Sequence, residues 1–192
     1  ILTSPPFPLS RKKSYGNLTG EQYIQWLCSF AEPFTRCLSD TGSIVIELGN
    51  AWEAGRPTMS TLPIETLLEF RRTADLYLCE EFIAYNPARL PSPAQWVNVE
   101  RIRAKDAFTR LWWMSPTQRP KASNRRVLRE YSESMRRLLK SQKYNAGSRP
   151  SGFEIGQKSF LVDNGGSIPS NVLIVPNTAS TDPYQLRCRA EG

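Results

Sequence analysis

The chain has 192 residues, 40% of them hydrophobic, which suffices for one domain or one domain with a small appendage. No run of about 18 apolar residues occurs, and the first residues lack the basic and apolar segments of a signal peptide. We therefore expect a cytoplasmic protein without a membrane-spanning helix. Histidine is absent and the four cysteines form no CxxC pair. This excludes Ser-His and Cys-His catalysis and predicts no metal site.

Positive charge is concentrated in one segment. The net charge is +7 at pH 7 and the isoelectric point is near 9.4. Between Arg119 and Lys143, nine Arg and Lys residues stand against two Glu residues, so this segment accounts for the whole excess. A concentrated basic block is typical of a protein that binds a polyanion, although a solvated helix face has the same pattern.

The predicted elements begin with a strand that ends at Ile1-Leu2. The chain has no initiator methionine and its last residues close no element, so we expect a segment of a longer protein. Thr19 and Gln22 fit a capping box, which predicts the start of a helix with apolar residues at helical spacing. Pro33 should kink that helix.

Three further strands and a second helix follow in alternation. The β-branched run 43–48 predicts a short parallel strand buried on both faces, and Gly49 ends it. A helix should begin at Pro63. Residues 76–85 and 107–115 have the composition of strands. This order predicts an α/β sheet with an antiparallel strand added at the end.

The character of the sequence changes after Pro116. A basic helix is predicted from about Asn124 to Gln142, and the residues after it are rich in Gly, Ser, Pro and Asn. Such sequence is dominated by loops and poor in core residues. We therefore predict a boundary near residue 116, with one domain at 1–115 and another at 116–192.

The stretch Thr3-Ser4-Pro5-Pro6-Phe7 suggests chemistry. It follows the apparent strand at its carboxyl end, which is the edge where open α/β sheets bind ligands. The prolines fix the backbone, so the Ser4 hydroxyl and the Pro5 carbonyl can both accept hydrogen bonds from one amino group. Phe7 offers a flat surface to a ring. These features suit the binding of an amine-bearing base. From spacing alone, however, such a sequence is more often an ordinary polyproline turn.

The motif and its continuation resemble a family of DNA amino-methyltransferases, which carry (D/N/S)-P-P-(Y/F). The serine and phenylalanine version followed by "PLSRKKSYGN" is similar to the PvuII-type cytosine-N4 branch. Further segments resemble that family in the same order: "DTGSIVIELGNAW", "EEFIAYNPARLPSPAQWVN", "RIRAKDAFTRLWWMSPTQRPK", "RPSGFEIGQKSF" and "DNGGSIPSNVL". The resemblance covers essentially the whole chain.

This resemblance implies a fold and an activity. The fold is α/β, a partial Rossmann-like S-adenosylmethionine-dependent methyltransferase sheet in permuted order, with 116–192 as an appended loop-rich target-recognition region. The activity is transfer of a methyl group from S-adenosylmethionine to N4 of a flipped cytosine in duplex DNA, within a restriction-modification system. The glycine-rich cofactor loop comes last in these enzymes and is expected beyond Gly192. The implied partners are double-stranded DNA and a cognate restriction endonuclease.

The resemblance also implies roles for individual residues. The catalytic residues are Ser4, Pro5, Pro6 and Phe7, and the cofactor contacts are Thr3 and Ser4. The DNA-binding candidates are Arg11, Lys12, Lys13, Tyr85, Arg125, Arg126 and Arg129. Tyr85 is a second stacking face for the base, and the cations are phosphate contacts, since contacts to the backbone usually outnumber those to bases. The base-reading residues lie within 116–175 and are not assigned individually.

Three alternatives stay open at this point. The same motif serves adenine-N6 transfer, because it discriminates imperfectly between the two amines. A basic DNA-binding module without catalysis fits the charge distribution. Modification of RNA is a third reading.

Overall fold

The computed structural model describes residues 1–8, 18–158, 160–176, 186, 187 and 190. In chain order these form β1 (Leu2–Thr3), α1 (Gly20–Cys28), α2 (Ala31–Arg36), β2 (Ile44–Gly49), β3 (Ala51–Trp52), β4 (Met59–Ser60), α3 (Leu62–Thr73), β5 (Tyr77–Tyr85), β6 (Phe108–Ser115), α4 (Glu133–Ser141), β7 (Gly147–Ser148), β8 (Glu154–Ile155) and β9 (Val172–Ile174). A π-helical turn covers Gln95–Val99 and a 3-10 turn covers Asn124–Arg126.

A five-stranded mixed sheet has the order β1-β2-β6-β5-β9. β1 is parallel to β2 and β9 is parallel to β5, whereas β6 runs antiparallel to both of its neighbours. The predicted α/β sheet with one antiparallel strand is therefore present, and that strand lies inside the sheet. Two short hairpins, β3-β4 and β7-β8, lie outside it.

The core lies on one face of this sheet. Ile44, Ile46 and Leu48 alternate along β2 and are at most 1% exposed, packed in one cluster with residues of α1 and α3. Val45 and Glu47, which point to the other face, are only half-buried. The prediction that this strand is buried on both faces is therefore wrong for the described residues, and the alternation is that of a strand with one covered face.

The first predicted helix is in fact two. α1 ends at Cys28 and α2 begins at Ala31, so the break precedes Pro33 and the predicted kink at Pro33 is wrong. Pro33 lies in the first turn of α2, where its missing amide costs no helical hydrogen bond. Thr19 does occupy the N-cap position of α1, but its side chain makes no capping hydrogen bond, so the predicted capping box is not formed.

The chain divides into two units, residues 1–121 with 171–192, and residues 122–170. The predicted boundary near residue 116 is close to the first division. The return of residues 171–192 was not predicted, and it brings β9 to the sheet that contains β5.

The basic helix predicted over 124–142 is wrong. Only residues 133–141 are α-helical, and Ser132 caps them by accepting a hydrogen bond from the Met135 amide at 3.3 Å. The Arg129 amide and carbonyl instead exchange two 2.9 Å hydrogen bonds with Ser167. Because those groups are used in a strand-like bridge, they cannot join a helical ladder.

Within the described part of the chain, no helix is both long and apolar enough to cross a membrane. The same residues contain no group of three or more His, Cys, Asp or Glu side chains placed to hold a metal ion.

Two leucines test the location of the core. Leu67 on α3 is 0% exposed and Leu90 is 79% exposed. We expect Leu67→Ala to lower the free energy of unfolding by about 2–5 kcal/mol, because it leaves a cavity. Leu90→Ala should change it by less than about 0.5 kcal/mol. Urea denaturation of both variants measures the difference, and equal effects would contradict this placement of the core.

Candidate active site at the carboxyl end of the sheet

The Ser4–Phe7 turn directly follows β1. Since β1 and β2 are parallel, with Thr3 opposite Ile46, the turn lies at the sheet edge where β2 ends in Gly49. Ser4 is exposed, and Phe7 is half-buried. The structure therefore places the predicted catalytic residues at the carboxyl end of two adjacent parallel strands, an edge that commonly binds ligands in α/β sheets.

A buried tyrosine holds the turn. The Tyr23 hydroxyl, on α1, donates a 2.7 Å hydrogen bond to the Pro6 carbonyl, and Tyr23 is 1% exposed. Burial raises the pKa of the Tyr23 phenol well above its ordinary value, so the phenol keeps the proton that it donates. The Ser4 hydroxyl and the Pro5 carbonyl have no hydrogen-bond partner among the described residues.

The backbone of Gly49 lies against the ring of Phe7. A Cβ atom at position 49 would stand 2.5 Å from Phe7 Cδ2, so only glycine allows this approach. Phe7 also packs against the core cluster. The ring is thereby fixed by the end of β2, as a stacking surface for a planar ligand would need to be.

A polar cluster lies next to this glycine. Asn50 is 6% exposed; its Nδ2 donates to Asp106 Oδ1 at 2.8 Å and its Oδ1 accepts from Arg110 Nη1 at 2.6 Å. Arg89 pairs with Asp106 at 3.8 Å, and Arg110 Nε pairs with Glu81 at 3.2 Å. The cluster joins the end of β2 to the start of β6 and to the loop after β5. It is rigid and charge-balanced, so it suits a supporting role.

Sequence reasoning missed both Tyr23 and this cluster. The helical spacing of apolar residues after Thr19 places Tyr23 on the buried face of a helix but does not indicate a hydrogen bond to the turn. The signal for the cluster is the polar Asn50 directly after a buried strand, but its partners are 56 and 60 residues away in the chain. Nothing in the local sequence identifies them.

Tyr85 is the last residue of β5 and is 38% exposed. Two strands, β2 and β6, lie between β5 and β1. At the usual strand spacing β5 is therefore about 14 Å from β1 across the sheet, and the register places Thr3 level with Glu81, four residues before Tyr85. Tyr85 and Phe7 make no ring contact with each other in the part of the chain that the structure describes. The role of Tyr85 as a second stacking face stays a prediction.

A cleft of about 480 Å³ lies beside the turn, between the starts of α1 and α3 and the β3-β4 hairpin. It is lined by Pro8, Thr19, Gly20, Trp52, Glu53, Ala54, Ser60, Thr61, Leu62 and Glu65. Its lining does not include Ser4 or Phe7. The buried Nε1 of Trp52 has no hydrogen-bond partner among the described residues.

The structure describes three of the six other predicted DNA contacts. Arg11, Lys12 and Lys13 lie outside the described residues. Arg125, Arg126 and Arg129 are exposed residues of the second unit.

Known proteins resemble the chain over its whole length. The model of the DNA methylase family N6_N4_Mtase matches residues 1–181. The type II methyltransferase M.PvuII of Proteus hauseri is 42% identical over 194 residues, which cover 100% of this chain and 57% of that protein. The solved PvuII DNA methyltransferase (cytosine-N4-specific) superimposes with a TM-score of 0.66 at 32% identity, covering 100% of this chain and 55% of that one.

Two facts follow from these matches. The predicted methyltransferase-type α/β sheet is confirmed by the structural likeness. The chain spans little more than half the length of the relatives that it matches.

The Tyr23 hydrogen bond gives a pH-dependent prediction. We expect Tyr23→Phe to lower the free energy of unfolding by about 1 kcal/mol at neutral pH. Burial raises the pKa of Tyr23 in the folded protein above its ordinary value of 10.0. Tyr23 therefore makes its full contribution to the free energy of unfolding below pH 10.0, where its phenol is protonated in both the folded and the unfolded protein. That contribution is lost as the pH rises further. Wild-type stability should fall by up to about 1.4 kcal/mol per pH unit more than that of the variant.

Urea unfolding at about pH 8 and about pH 11 measures both effects. Tyr77→Phe is the matched control, because Tyr77 is 46% exposed. A Tyr23→Phe variant whose stability falls above pH 10 as steeply as that of the wild type would contradict a role for this buried proton.

Proposed function

The chain belongs to the DNA methylase family N6_N4_Mtase, and from this premise we propose that the protein carrying it is a site-specific cytosine-N4 DNA methyltransferase. We propose that it transfers a methyl group from S-adenosylmethionine to the exocyclic N4 of a flipped cytosine in duplex DNA. The likeness to the solved PvuII DNA methyltransferase (cytosine-N4-specific), at 32% identity, supports this choice of base.

One structural observation carries the proposal. In the Ser4–Phe7 turn the Pro6 carbonyl is occupied by Tyr23, whereas the Ser4 hydroxyl and the Pro5 carbonyl are without a partner among the described residues. Two adjacent acceptors are thereby left for one amino group. Because the Tyr23 hydrogen bond already holds the turn in place, little further ordering is needed when a base binds.

Those two acceptors explain how the amine becomes reactive. The lone pair of the cytosine amine is delocalised into the ring, which makes the nitrogen a poor nucleophile. When Ser4 Oγ and the Pro5 carbonyl accept hydrogen bonds from its two N–H groups, the nitrogen is drawn toward tetrahedral geometry and the lone pair is freed for attack on the methyl group. Holding the reacting groups in this geometry supplies, in favourable cases, about 7–11 kcal/mol. This chemistry needs neither a covalent intermediate nor a histidine.

The residues at the end of β1 fit a cofactor contact. Thr3 is half-buried and Ser4 is exposed at the carboxyl edge of the sheet, so their polar groups can meet a polar ligand. We assign these two residues to S-adenosylmethionine. When bound, it supplies an electrophilic methyl group on a sulfonium.

The amine of a paired cytosine is hidden in the duplex, so the base must leave the stack, at a cost of a few kcal/mol. We assign Phe7, fixed against Gly49, to stack on the flipped ring, and Tyr85 to its other side. Arg11, Lys12 and Lys13 are assigned to phosphates near the flipped nucleotide. A cognate restriction endonuclease is the proposed partner in the same system, and the cytoplasm is the proposed location.

Ser4→Ala tests the proposal. Ser4 is exposed and makes no hydrogen bond with a described residue, so the variant should fold and bind duplex DNA like the wild type. Methyl transfer by the full-length protein that carries this chain should fall about 100-fold or more, the scale of losing one catalytic hydrogen-bond partner. Transfer of labelled methyl from S-adenosylmethionine measures the first effect and DNA binding the second. Ser39→Ala, another exposed serine, is the control.

The product distinguishes the alternatives. Digestion of the methylated DNA to nucleosides, followed by mass analysis, should give N4-methylcytosine. N6-methyladenine would reject the choice of base. Salt-dependent DNA binding without any transfer by the wild type would identify a binding module instead, and RNA as the better acceptor would reject duplex DNA as substrate.

A further inference from the structure

The second unit carries more positive charge than its own contacts neutralise. Residues 122–170 contain nine Arg and Lys against four Asp and Glu. Arg136 and Arg137 are engaged by Glu130 and Glu133 at 2.8 and 3.1 Å. In contrast, the side chains of Arg125, Arg126 and Arg129 have no partner within the described residues. These three guanidinium groups are available to a polyanion.

This unit also buries very little of its own surface. Among its described residues only Gly166 is buried, and apolar side chains such as Phe153 (65%), Val162 (59%) and Ile168 (68%) are exposed. Apolar groups interspersed with unpaired cations suit duplex DNA, which offers phosphates for the charges and base edges, including the thymine methyl, for the rest.

Of these three arginines, Arg125 alone lines a cleft of about 790 Å³. Asn124 and Arg125 line it, together with Tyr131, Asn164 and Ile168, whereas Arg126 and Arg129 are not among its lining residues. Arg and Asn are the side chains that read guanine and adenine by paired hydrogen bonds, and apolar groups contact thymine. The cleft therefore combines several side chains that can read bases. Arg126 and Arg129 do not line it.

The walls of this cleft are held rigidly. The Arg129–Ser167 bridge joins them through two 2.9 Å hydrogen bonds. The Tyr131 hydroxyl accepts a 2.8 Å hydrogen bond from the backbone amide of Asn164. A Cβ atom on Gly166 would stand 2.6 Å from the Arg129 carbonyl oxygen, so this close approach requires glycine. Side chains presented from fixed walls lose little freedom on binding, as discrimination between bases requires.

We propose that Asn124 and Arg125 contact base edges of duplex DNA from this cleft, whereas Arg126 and Arg129 contact phosphates. This reassigns Arg125, for which the usual excess of backbone contacts over base contacts predicts a phosphate contact. The inference rests on the proposed function only in that the partner is duplex DNA, since it needs no methyl transfer.

Arg125→Lys and Arg126→Ala separate the two roles. The full-length protein that carries this chain is first incubated with a pool of duplexes that share a randomised centre, and sequencing of the bound fraction gives the preferred site. Affinity for that duplex and for an unrelated duplex of equal length is then measured at several salt concentrations. Arg125→Lys keeps the charge but loses the planar fork, so the preference should fall by about 5- to 150-fold with an unchanged salt slope. Asn124→Ala should reduce the preference similarly.

Arg126→Ala should weaken binding to both duplexes equally. It should also reduce the slope of log affinity against log salt concentration by about 1. Circular dichroism checks that each variant is folded. The proposal is overturned if Arg125→Lys keeps the wild-type preference, if Arg126→Ala changes the preference instead, or if the wild type enriches no sequence or prefers RNA. A sequence preference without methyl transfer would reject the proposed function and leave this inference standing.

Discussion

The hydrogen bond from Tyr23 to the Pro6 carbonyl connects the Ser4–Phe7 turn to the body of the protein. β1 has only two residues, so its pairing with β2 would not by itself hold the residues that follow it. The buried phenol supplies the missing constraint, because it lies in the core cluster with α1 and α3 and reaches the turn from there. It also settles which carbonyl stays available: Pro6 is used by the protein and Pro5 is not.

The end of β2 supports the site in two different ways with two consecutive residues. Gly49 lets the Phe7 ring approach the backbone, and Asn50 ties the strand end to Asp106 and Arg110. Because the buried amide of Asn50 is satisfied on both its oxygen and its nitrogen, the cluster costs little to keep inside the protein. The aromatic and the polar parts of the site are therefore positioned by the same short stretch of backbone.

The strands of the sheet could be predicted because their signals are local. Residues 43–48, 76–85 and 107–115 are apolar or β-branched runs, and each corresponds to an observed strand. The failures involve long-range partners. The basic segment has good helical spacing, but Arg129 pairs with Ser167, which the local pattern does not contain. The hydrogen bonds of Tyr23 and Asn50 likewise have partners outside the local pattern. The Ser4–Phe7 turn could be proposed as a site because the family motif is contiguous.

The chain leaves the unit that contains the five-stranded sheet after residue 121 and returns to it at residue 171, just before β9 joins β5. Both ends of residues 122–170 thus connect to the unit that contains this sheet, and none of the sheet's described strands comes from residues 122–170. An insert attached in this way can change in length and composition while the sheet register is preserved. Residues 122–170 can therefore be exchanged between otherwise similar chains, in evolution or by protein engineering.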